Sequence, residues 1–184
     1  MAGKHNRYTF RQNSRRAAIA VYDWIGAIVA SLTVIVLLLT YVLRVVGVDG
    51  GSMLPTLEDD DRLLLTYASD EFEYGDIVVI DRYAGEPLIK RVIAVGGDTI
   101  EIINTEVFVN GVRLSESYIR GNTVPRDMTG EVLVPEGFVF VMGDNRSVSK
   151  DSRMNEIGLI SEKDIVGKAL WRVWPPTAFG KIYE

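Results

Sequence analysis

One uncharged segment near the N-terminus limits what this chain can fold into. Residues 24–43 form 20 consecutive positions without a charged side chain, and they are rich in Ile, Val, Leu and Ala. As an α-helix, such a run spans about 30 Å, which matches the hydrocarbon thickness of a bilayer. The run therefore predicts a membrane-spanning anchor, and the rest of the chain must fold outside the bilayer.

The charges beside this run predict its orientation. Only Arg44 follows it closely, whereas five basic residues precede it: Lys4, Arg7, Arg11, Arg15 and Arg16. Since basic residues flanking a membrane helix stay in the cytoplasm, we expect a cytoplasmic N-terminus and a C-terminal part on the extracytoplasmic side of the cell membrane. The predicted divisions are a basic tail over 1–23, a single-pass anchor over 24–46 and an extracytoplasmic domain over 47–184.

Two other interpretations of the apolar run are less favoured. A buried core helix would be shorter and would carry polar residues at helical spacing. A cleavable signal peptide would have a shorter apolar centre, followed soon by a small-x-small site. The residues after this run, Arg44, Val45 and Val46, are bulky. A retained anchor is the better interpretation.

Composition excludes several kinds of chemistry. The sequence has no cysteine and one histidine, His5, which lies in the basic tail. Thiol catalysis, a Ser-His-Asp triad and a multi-histidine zinc site are therefore disfavoured. Residues 47–184 hold 14 basic and 24 acidic side chains. An acidic domain argues against nucleic acid as a partner, because phosphate contacts require a basic face. We expect no metal and no organic cofactor.

Beyond residue 50 the pattern becomes that of β structure. Short runs rich in β-branched residues lie between turn signals and predict strands over residues 62–67, 76–82, 89–95, 98–103 and 138–142. Asn110-Gly111 between the short segments 107–109 and 112–114 predicts a hairpin with a type I′ turn. Residues 121–132 have the composition of a surface loop. We predict a mainly β fold, in which an all-β domain of coiled antiparallel sheets follows one transmembrane helix.

The first segment with chemical interest surrounds Ser52. Gly50 and Gly51 precede the serine, which lets the backbone approach another chain closely and leaves amide N–H groups accessible. A plain Gly-Gly-Ser linker is the alternative interpretation. Flexible linkers, however, rarely run directly into an apolar and stiff sequence such as Met-Leu-Pro-Thr-Leu at 53–57.

The second segment surrounds Lys90. Strand alternation places Lys90 on one face with Leu88, Val92 and Ala94. Burial among such neighbours disfavours the ammonium ion and lowers a lysine pKa by up to about 3–5 units, into the range of a general base. The alternative is that Lys90 and Arg91 lie at a strand edge, which is common for lysine.

Other polar and aromatic features have simpler alternatives. Residues 143–153 follow an apolar strand and, by composition alone, read as an ordinary polar loop. The acidic run over 58–61 lacks the spacing of a calcium loop and reads as a solvated turn. Trp171 and Trp174 are candidates either for contact with lipid or for packing in the core.

Taken together, the motifs resemble the type I signal peptidase family in its short Gram-positive form. They are Gly-Ser-Met-Leu-Pro-Thr-Leu at 51–57, Gly-Asp-Ile-Val at 75–78, Lys-Arg-Val at 90–92, Gly-Gly-Asp at 96–98, and Gly-Asp-Asn-Arg with Ser-x-Asp-Ser-Arg within 143–153. The resemblance implies a membrane-bound serine endopeptidase that removes signal peptides from exported preproteins after small-x-small sites. Ser52 would be the nucleophile, and Lys90, as a neutral amine, its general base.

The resemblance also implies roles around these two residues. Ser149 would hydrogen-bond the lysine amine, and the oxyanion would bind to the Ser52 N–H and to a backbone N–H at Gly50. Asp144, Asp151 and Arg153 would hold the site together. We further expect Val48, Met53 and Leu88 to line the substrate pockets, because they flank the catalytic pair.

The expected partners follow from the same interpretation. They are the signal-peptide region of exported preproteins and the lipid bilayer, with the protein export machinery as a further candidate. The nine residues from Leu43 to Ser52 reach at most about 30 Å, so the nucleophile stays close to the membrane surface. The substrate is expected to bind extended, beside residues 46–50 and 85–90.

Two rival functions are weighed against this one. Self-cleaving repressor-type proteases share Ser-Lys chemistry, but they are soluble and carry a regulatory segment where this chain has its apolar run. A non-enzymatic, membrane-anchored assembly factor with the same fold would be expected to have lost Ser52 or Lys90. Both residues are present.

Overall fold

The N-terminal part of the chain is one long helix. The computed structural model describes residues 5–41, 43–66, 71–81 and 87–182, which fall into two compact units divided between Val42 and Leu43. The first unit contains helix α1 (His5–Tyr41). Within it, Ile19–Leu37 has a mean hydropathy of 2.0 and none of its side chains is buried, so it is long and apolar enough to cross a membrane.

The second unit is built almost entirely of β-strands, as predicted. In the described residues its only helices are two 3₁₀ turns, Glu162–Asp164 and Pro176–Ala178. The strands are β1 (Leu43–Gly47), β2 (Arg62–Thr66), β3 (Ile77–Ile80), β4 (Leu88–Ala94), β5 (Thr99–Ile103), β6 (Glu106–Val109), β7 (Val112–Arg113), β8 (Val132–Leu133), β9 (Phe138–Met142), β10 (Ile160–Ser161), β11 (Ile165–Trp174) and β12 (Gly180–Lys181).

The strands form two antiparallel sheets. The larger has the order β1-β2-β11-β3-β4-β9-β10, with β12 paired to β11, and curls into a half-barrel. The smaller has the order β7-β6-β5-β8. The predicted fold class of coiled antiparallel sheets behind one apolar helix is therefore confirmed.

The predicted hairpin is also confirmed. Asn110 and Gly111 have φ angles of 52° and 74°, the two left-handed residues that a type I′ turn requires. The turn brings Val109 opposite Val112 and Phe108 opposite Arg113, so β6 and β7 pair directly.

The sequence pattern missed five of the described strands: β8, β10 and β12, which have only two residues each, and the longer β1 and β11. Strand β1 begins at Leu43, the last residue of the uncharged run, and was counted as part of the predicted anchor over 24–46, because a short apolar segment does not by itself distinguish helix from strand. Strand β11 is interrupted by a register shift between Ile165 and Gly167. A side chain at Gly167 would overlap the carbonyl of Thr66, so this bulge requires glycine and breaks the period of two.

Three apolar clusters fill the second unit. The cluster nearest the predicted nucleophile contains Val48, Met53, Leu57, Leu63, Leu65, Ile77, Val79, Ile89 and Ala169. The other two pack against opposite faces of β4 and β9. Since β4 has neighbours on both edges and apolar groups on both faces, its residues from Ile89 to Ala94 are buried, and this includes the charged Lys90.

The helix ends earlier than the predicted anchor. Tyr41 is its last residue, and β1, paired with β2, begins at Leu43. The predicted division of the chain into tail, anchor and extracytoplasmic domain stays a prediction.

Candidate active site

The predicted nucleophile and base meet in the structure. Ser52 lies in the turns between β1 and β2, and Lys90 lies on β4. The Lys90 Nζ donates hydrogen bonds to the Ser52 Oγ at 2.9 Å and to the Ile89 carbonyl oxygen at 2.9 Å. The sequence separation is 38 residues, so the pair exists only because the sheet curls these elements together.

Lys90 has the electrostatic character of a general base. Its side chain is 3% exposed. Burial lowers the pKa of Lys90 to about 8, against the opposing effect of the nearby Asp151 and Asp144 carboxylates. A substantial fraction of the amine is therefore neutral near physiological pH.

The loop over residues 143–153, here named the catalytic loop, packs against the nucleophile. The backbone N–H of Asn145 donates to the Ser52 carbonyl oxygen at 3.0 Å, and the Asn145 Nδ2 donates to the Gly51 carbonyl oxygen at 2.9 Å. Gly143 makes this approach possible. A Cβ at Gly143 would lie 2.5 Å from the Ser52 carbonyl oxygen and would overlap the Ser149 Oγ.

Asp144 joins three parts of the site. It accepts two hydrogen bonds from the Arg91 guanidinium, at 2.8 and 2.7 Å, and one from the Thr56 hydroxyl at 2.5 Å. Both charged side chains are buried. This bidentate pair ties the catalytic loop to β4 beside Lys90 and to the turn after Ser52.

Asp151 and Arg153 form a second buried pair within the catalytic loop. The Arg153 Nε and Nη2 donate to the two carboxylate oxygens at 2.7 and 2.8 Å. Burial alone would raise the pKa of Asp151. The hydrogen bonds and charge of Arg153, together with hydrogen bonding from Ser149 and the Gly143 N–H, outweigh burial and hold that pKa below its ordinary value. Asp151 also accepts from the Gly143 N–H at 3.1 Å and so fixes the start of the loop.

Ser149 lies in the site but does not make the predicted bond. Its side chain is fully buried, and its Oγ lies against Gly143. In the part of the chain that the structure describes, no hydrogen-bond partner lies within regular geometry of this Oγ, although the hydroxyl is close enough to Asp151 to help hold the pKa of that carboxylate down. The structure therefore brings Ser149 next to the catalytic pair without a bond to the Lys90 amine.

Gly50 is not free to act as the second oxyanion donor in this conformation. With a φ of 80°, its backbone is in the left-handed region, and its N–H donates to the Asp59 Oδ1 at 2.8 Å. Asp59 belongs to the acidic run over 58–61. A further member, Asp61, is buried and pairs with Arg172 at 3.1 Å, so this run braces the nucleophile segment instead of being only a solvated turn.

The three predicted pocket residues separate into two groups. Val48 and Met53 are buried in the same apolar cluster. Leu88 packs against a different cluster, around Val78 and Val139. Its neighbour Ile89 lies with Val48 and Met53, because adjacent strand residues face opposite sides of a sheet. That Val48, Met53 and Leu88 line substrate pockets stays a prediction.

Several supporting residues were not singled out from the sequence. Arg91, Thr56 and Asn145 stand inside the quoted motifs, next to residues that were given roles. Arg146 is fully buried and donates to Glu116 at 2.5 and 3.0 Å. Glu116 lies outside every motif, and only the tertiary fold reveals its part.

The two tryptophans do not pack in the core. Trp174 is 53% exposed, and Trp171 is 36% exposed with its ring 5.7 Å from that of Phe179. The core-packing alternative is therefore wrong, and the lipid alternative stays a prediction. Among the described residues, no group of three His, Asp or Glu side chains could hold a metal ion.

The chain is similar in sequence to known signal peptidases. A family model described as signal peptidase, peptidase S26, matches residues 21–174. The chain is 40% identical over 166 residues to signal peptidase I P of Bacillus subtilis subsp. natto, covering 83% of this chain and 89% of that protein. It is 32% identical over 178 residues to signal peptidase IB of a Staphylococcus aureus strain, covering 86% and 92%.

A solved structure is also similar. The crystal structure of a signal peptidase I from Enterococcus faecalis is 27% identical, with a TM-score of 0.46, and the match covers 55% of this chain and 98% of that one.

Proposed function

Because the chain belongs to the signal peptidase family, peptidase S26, and is a serine endopeptidase with a helix long and apolar enough to cross a membrane, we propose that it removes N-terminal signal peptides from exported preproteins. The observation that carries this proposal is the 2.9 Å contact between the Lys90 Nζ and the Ser52 Oγ. That distance is within reach for direct proton transfer between a base and a nucleophile.

The reaction begins with neutral Lys90 accepting the proton of the Ser52 hydroxyl. As the Oγ–H bond breaks, the Oγ attacks the scissile carbonyl and forms a tetrahedral oxyanion. Collapse of this intermediate breaks the C–N bond, and the Lys90 ammonium returns the proton to the leaving amine. The acyl group then sits on Ser52.

Water completes the cycle by hydrolysing the acyl-enzyme, with Lys90 again acting as the base. Lys90 takes a proton from the attacking water, the ester bond breaks, and the proton returns to the Ser52 Oγ. No step requires a metal ion or an organic cofactor.

The surroundings of Lys90 suit this role. Arg91 and Arg153 each pair with a carboxylate near Lys90, and each pairing weakens the carboxylate's stabilisation of the Lys90 ammonium form. The Ile89 carbonyl oxygen orients the amine toward the serine. Asp144, Asp151 and Arg153 thus act by holding and tuning the base, and Ser149 by filling the space beside it.

The Ser52 N–H is the proposed backbone donor to the oxyanion. Within the described residues it donates to no protein acceptor, whereas the Gly50 N–H is held by Asp59. Gly50 can contribute only if that bond breaks when substrate binds.

Selectivity for small side chains before the cut is proposed to come from the apolar cluster beside Ser52. Val48, Met53 and Ile89 are buried there, so their packing leaves little room for bulk near the nucleophile. Strand β1 is an edge of the larger sheet in the described residues, which allows a preprotein segment to add beside residues 46–50. Of the other expected contact, 85–90, residues 85 and 86 lie outside the described residues.

The proposed location is the cell membrane, with the N-terminus in the cytoplasm and the catalytic unit on the extracytoplasmic side. The basic residues before the helix support this orientation. The second unit also has an apolar outer patch, which we define as Val45, Leu64, Trp171, Trp174 and Phe179. Since Val45, Leu64 and Trp171 lie side by side on one face of β1, β2 and β11, this patch is suited to contact lipid.

Cleavage of a preprotein with an Ala-x-Ala site tests the proposal. In detergent or lipid, the wild type should release the mature protein with its N-terminus directly after the second alanine. Ser52→Ala and Lys90→Ala should be inactive, and Lys163→Ala, which changes an exposed lysine far along the chain, should retain full activity.

The other outcomes point elsewhere. A folded wild type that cuts nothing would favour the non-enzymatic assembly factor, and activity that survives in Ser52→Ala would mean another nucleophile. Replacing the last residue before the cut with Trp should stop cleavage; continued cleavage would remove the pocket proposal.

A further inference from the structure

The peptide unit between Gly51 and Ser52 is held from one side only. Its carbonyl oxygen accepts the Asn145 Nδ2 at 2.9 Å and the Leu54 N–H at 3.4 Å. Its N–H, which belongs to Ser52, donates to no protein acceptor in the described chain.

The two ends of this unit are geometrically coupled. Gly51–Ser52 is a trans peptide, and in a trans peptide the C=O and N–H bonds point in opposite directions within one plane. A group that fixes the direction of the Gly51 carbonyl therefore fixes the direction of the Ser52 N–H. A hydrogen bond at the oxygen also polarises the amide, which strengthens the N–H as a donor.

We propose that Asn145 is a positioning residue of the oxyanion hole, which aims and polarises the Ser52 N–H by holding the Gly51 carbonyl. This inference rests on the proposed function, because it needs Ser52 as the nucleophile. Among the described residues, Asn145 makes no hydrogen bond to Lys90; it acts through the peptide unit in front of the serine.

Asn145 is itself rigidly placed. It is 9% exposed, and its backbone N–H donates to the Ser52 carbonyl oxygen at 3.0 Å. Its own carbonyl oxygen accepts a hydrogen bond from the Ser149 N–H at 3.0 Å. An isolated β-bridge also pairs Asn145 with Arg120. Because the backbone of Asn145 remains bonded to Ser52 after a side-chain substitution, the amide group can be removed without undocking the loop.

The proposal separates kcat from KM. An oxyanion donor acts in the transition state and not on bound substrate, so its loss lowers kcat and leaves KM nearly unchanged. Removing such a donor costs about 10²–10³ in kcat. Misaiming one should cost less, and we expect Asn145→Ala to lower kcat about 10–100-fold, with KM within about twofold.

The experiment compares wild type, Asn145→Ala and Asn145→Asp with Asn122→Ala, an exposed asparagine that serves as the control. In full-length protein we would measure kcat and KM for a preprotein. We would also measure the inhibition constants of two peptides of that cleavage site. One carries a C-terminal aldehyde, to which the serine Oγ adds, so that the aldehyde oxygen takes the position of the oxyanion. The other has a reduced CH₂–NH scissile bond and forms no oxyanion.

The predicted result is a selective loss. Aspartate has the size of asparagine but presents an acceptor, not a donor, to the Gly51 carbonyl. Both Asn145→Ala and Asn145→Asp should bind the aldehyde peptide more weakly, by the same factor by which their kcat/KM falls. Binding of the reduced peptide and the rate of Asn122→Ala should not change.

Full activity in Asn145→Asp, or an equal weakening of the binding of both peptides, would overturn the proposal. If Asn145→Ala fails to fold, the result for Asn145→Asp decides. A wild type that does not cleave, or an active Ser52→Ala, would instead contradict the proposed function.

Discussion

Lys90 shows how one side chain balances two opposing effects. Burial favours the neutral amine, and two nearby carboxylates favour the ammonium ion. The result is a pKa of about 8, which leaves the residue chargeable but not permanently charged. Arg91 and Arg153 take part in this balance, because each one neutralises a carboxylate near the lysine.

Arg153→Met should shift the pH dependence of activity. Without its partner, Asp151 stabilises the Lys90 ammonium more strongly, so the pKa of Lys90 rises and the pH–activity profile moves to higher pH. Breaking a buried pair should also lower the free energy of unfolding by about 3–5 kcal/mol. The profile and thermal unfolding in detergent measure both effects.

Arg113→Met provides the matched control, because the Arg113–Glu106 pair is exposed and should be worth at most about 1 kcal/mol. An unshifted profile in folded Arg153→Met would show that this pair does not tune the base.

Gly143→Ala should abolish activity by steric overlap, because Gly143 itself contributes no chemical group to the reaction. The added methyl group would overlap the Ser149 Oγ and press on the Ser52 carbonyl oxygen, so the catalytic loop must move away from the nucleophile. The control is Gly180→Ala, where a methyl group meets no atom within 4 Å. Preprotein cleavage is the measurement, and normal activity in Gly143→Ala would mean that the loop does not need this close approach.

At the level of elements, the site depends on contacts between segments that are far apart in sequence. The Thr56 hydroxyl, from the turn after Ser52, donates to Asp144 at 2.5 Å across 88 residues. The carbonyl of the same residue accepts a hydrogen bond from Arg172 on β11. The nucleophile segment is thereby fixed between the catalytic loop and the centre of the larger sheet.

Thr56→Val should loosen this connection. It keeps the shape but removes the donor to a buried carboxylate, which should lower the free energy of unfolding by about 1–3 kcal/mol. We expect a lower kcat as well, because the Ser52 turn loses one of its supports. Thr177→Val, at an exposed position, is the control for both measurements. An unchanged free energy of unfolding in Thr56→Val would mean that Arg91 alone holds Asp144 in place.

The sequence predicted seven of the twelve described strands and singled out Ser52 and Lys90, which the structure brings together, but it did not predict the contacts that join them. Asn110-Gly111 predicted its hairpin because the turn chemistry is local. Strand β11 was missed because its bulge at Gly167 is set by the approach of Thr66, a contact with no local signal. The bond from Gly50 to Asp59 was also invisible in sequence, since a backbone donor looks the same whether it is free or engaged.

At the scale of the whole molecule, the apolar outer patch remains without a protein partner in the described residues. Trp174 and Phe179 are more than half exposed. Exposed aromatic residues of this kind are typical of surfaces that sit at the membrane interface. Because the second unit follows in sequence after a helix long and apolar enough to span a membrane, lipid remains the proposed partner of this patch.

A Trp171→Ser, Trp174→Ser double variant should therefore be impaired only at membranes. Each lost aromatic contact removes about 1–2 kcal/mol of apolar burial, and we expect cleavage of a preprotein in lipid vesicles to fall several-fold. Cleavage of a short soluble peptide in detergent should be unchanged. An equal loss in both assays would place the tryptophans in the catalytic mechanism or in folding and not at the lipid surface.

The pH dependence of kcat/KM tests the central claim, that neutral Lys90 is the base for Ser52, most directly. Below the pKa of the free enzyme's base, kcat/KM should rise about tenfold per pH unit. For wild type it should level off above a pKa of about 8, the value that burial gives Lys90. A profile that is flat between pH 6 and pH 9, in a range where the protein stays folded, would contradict the account.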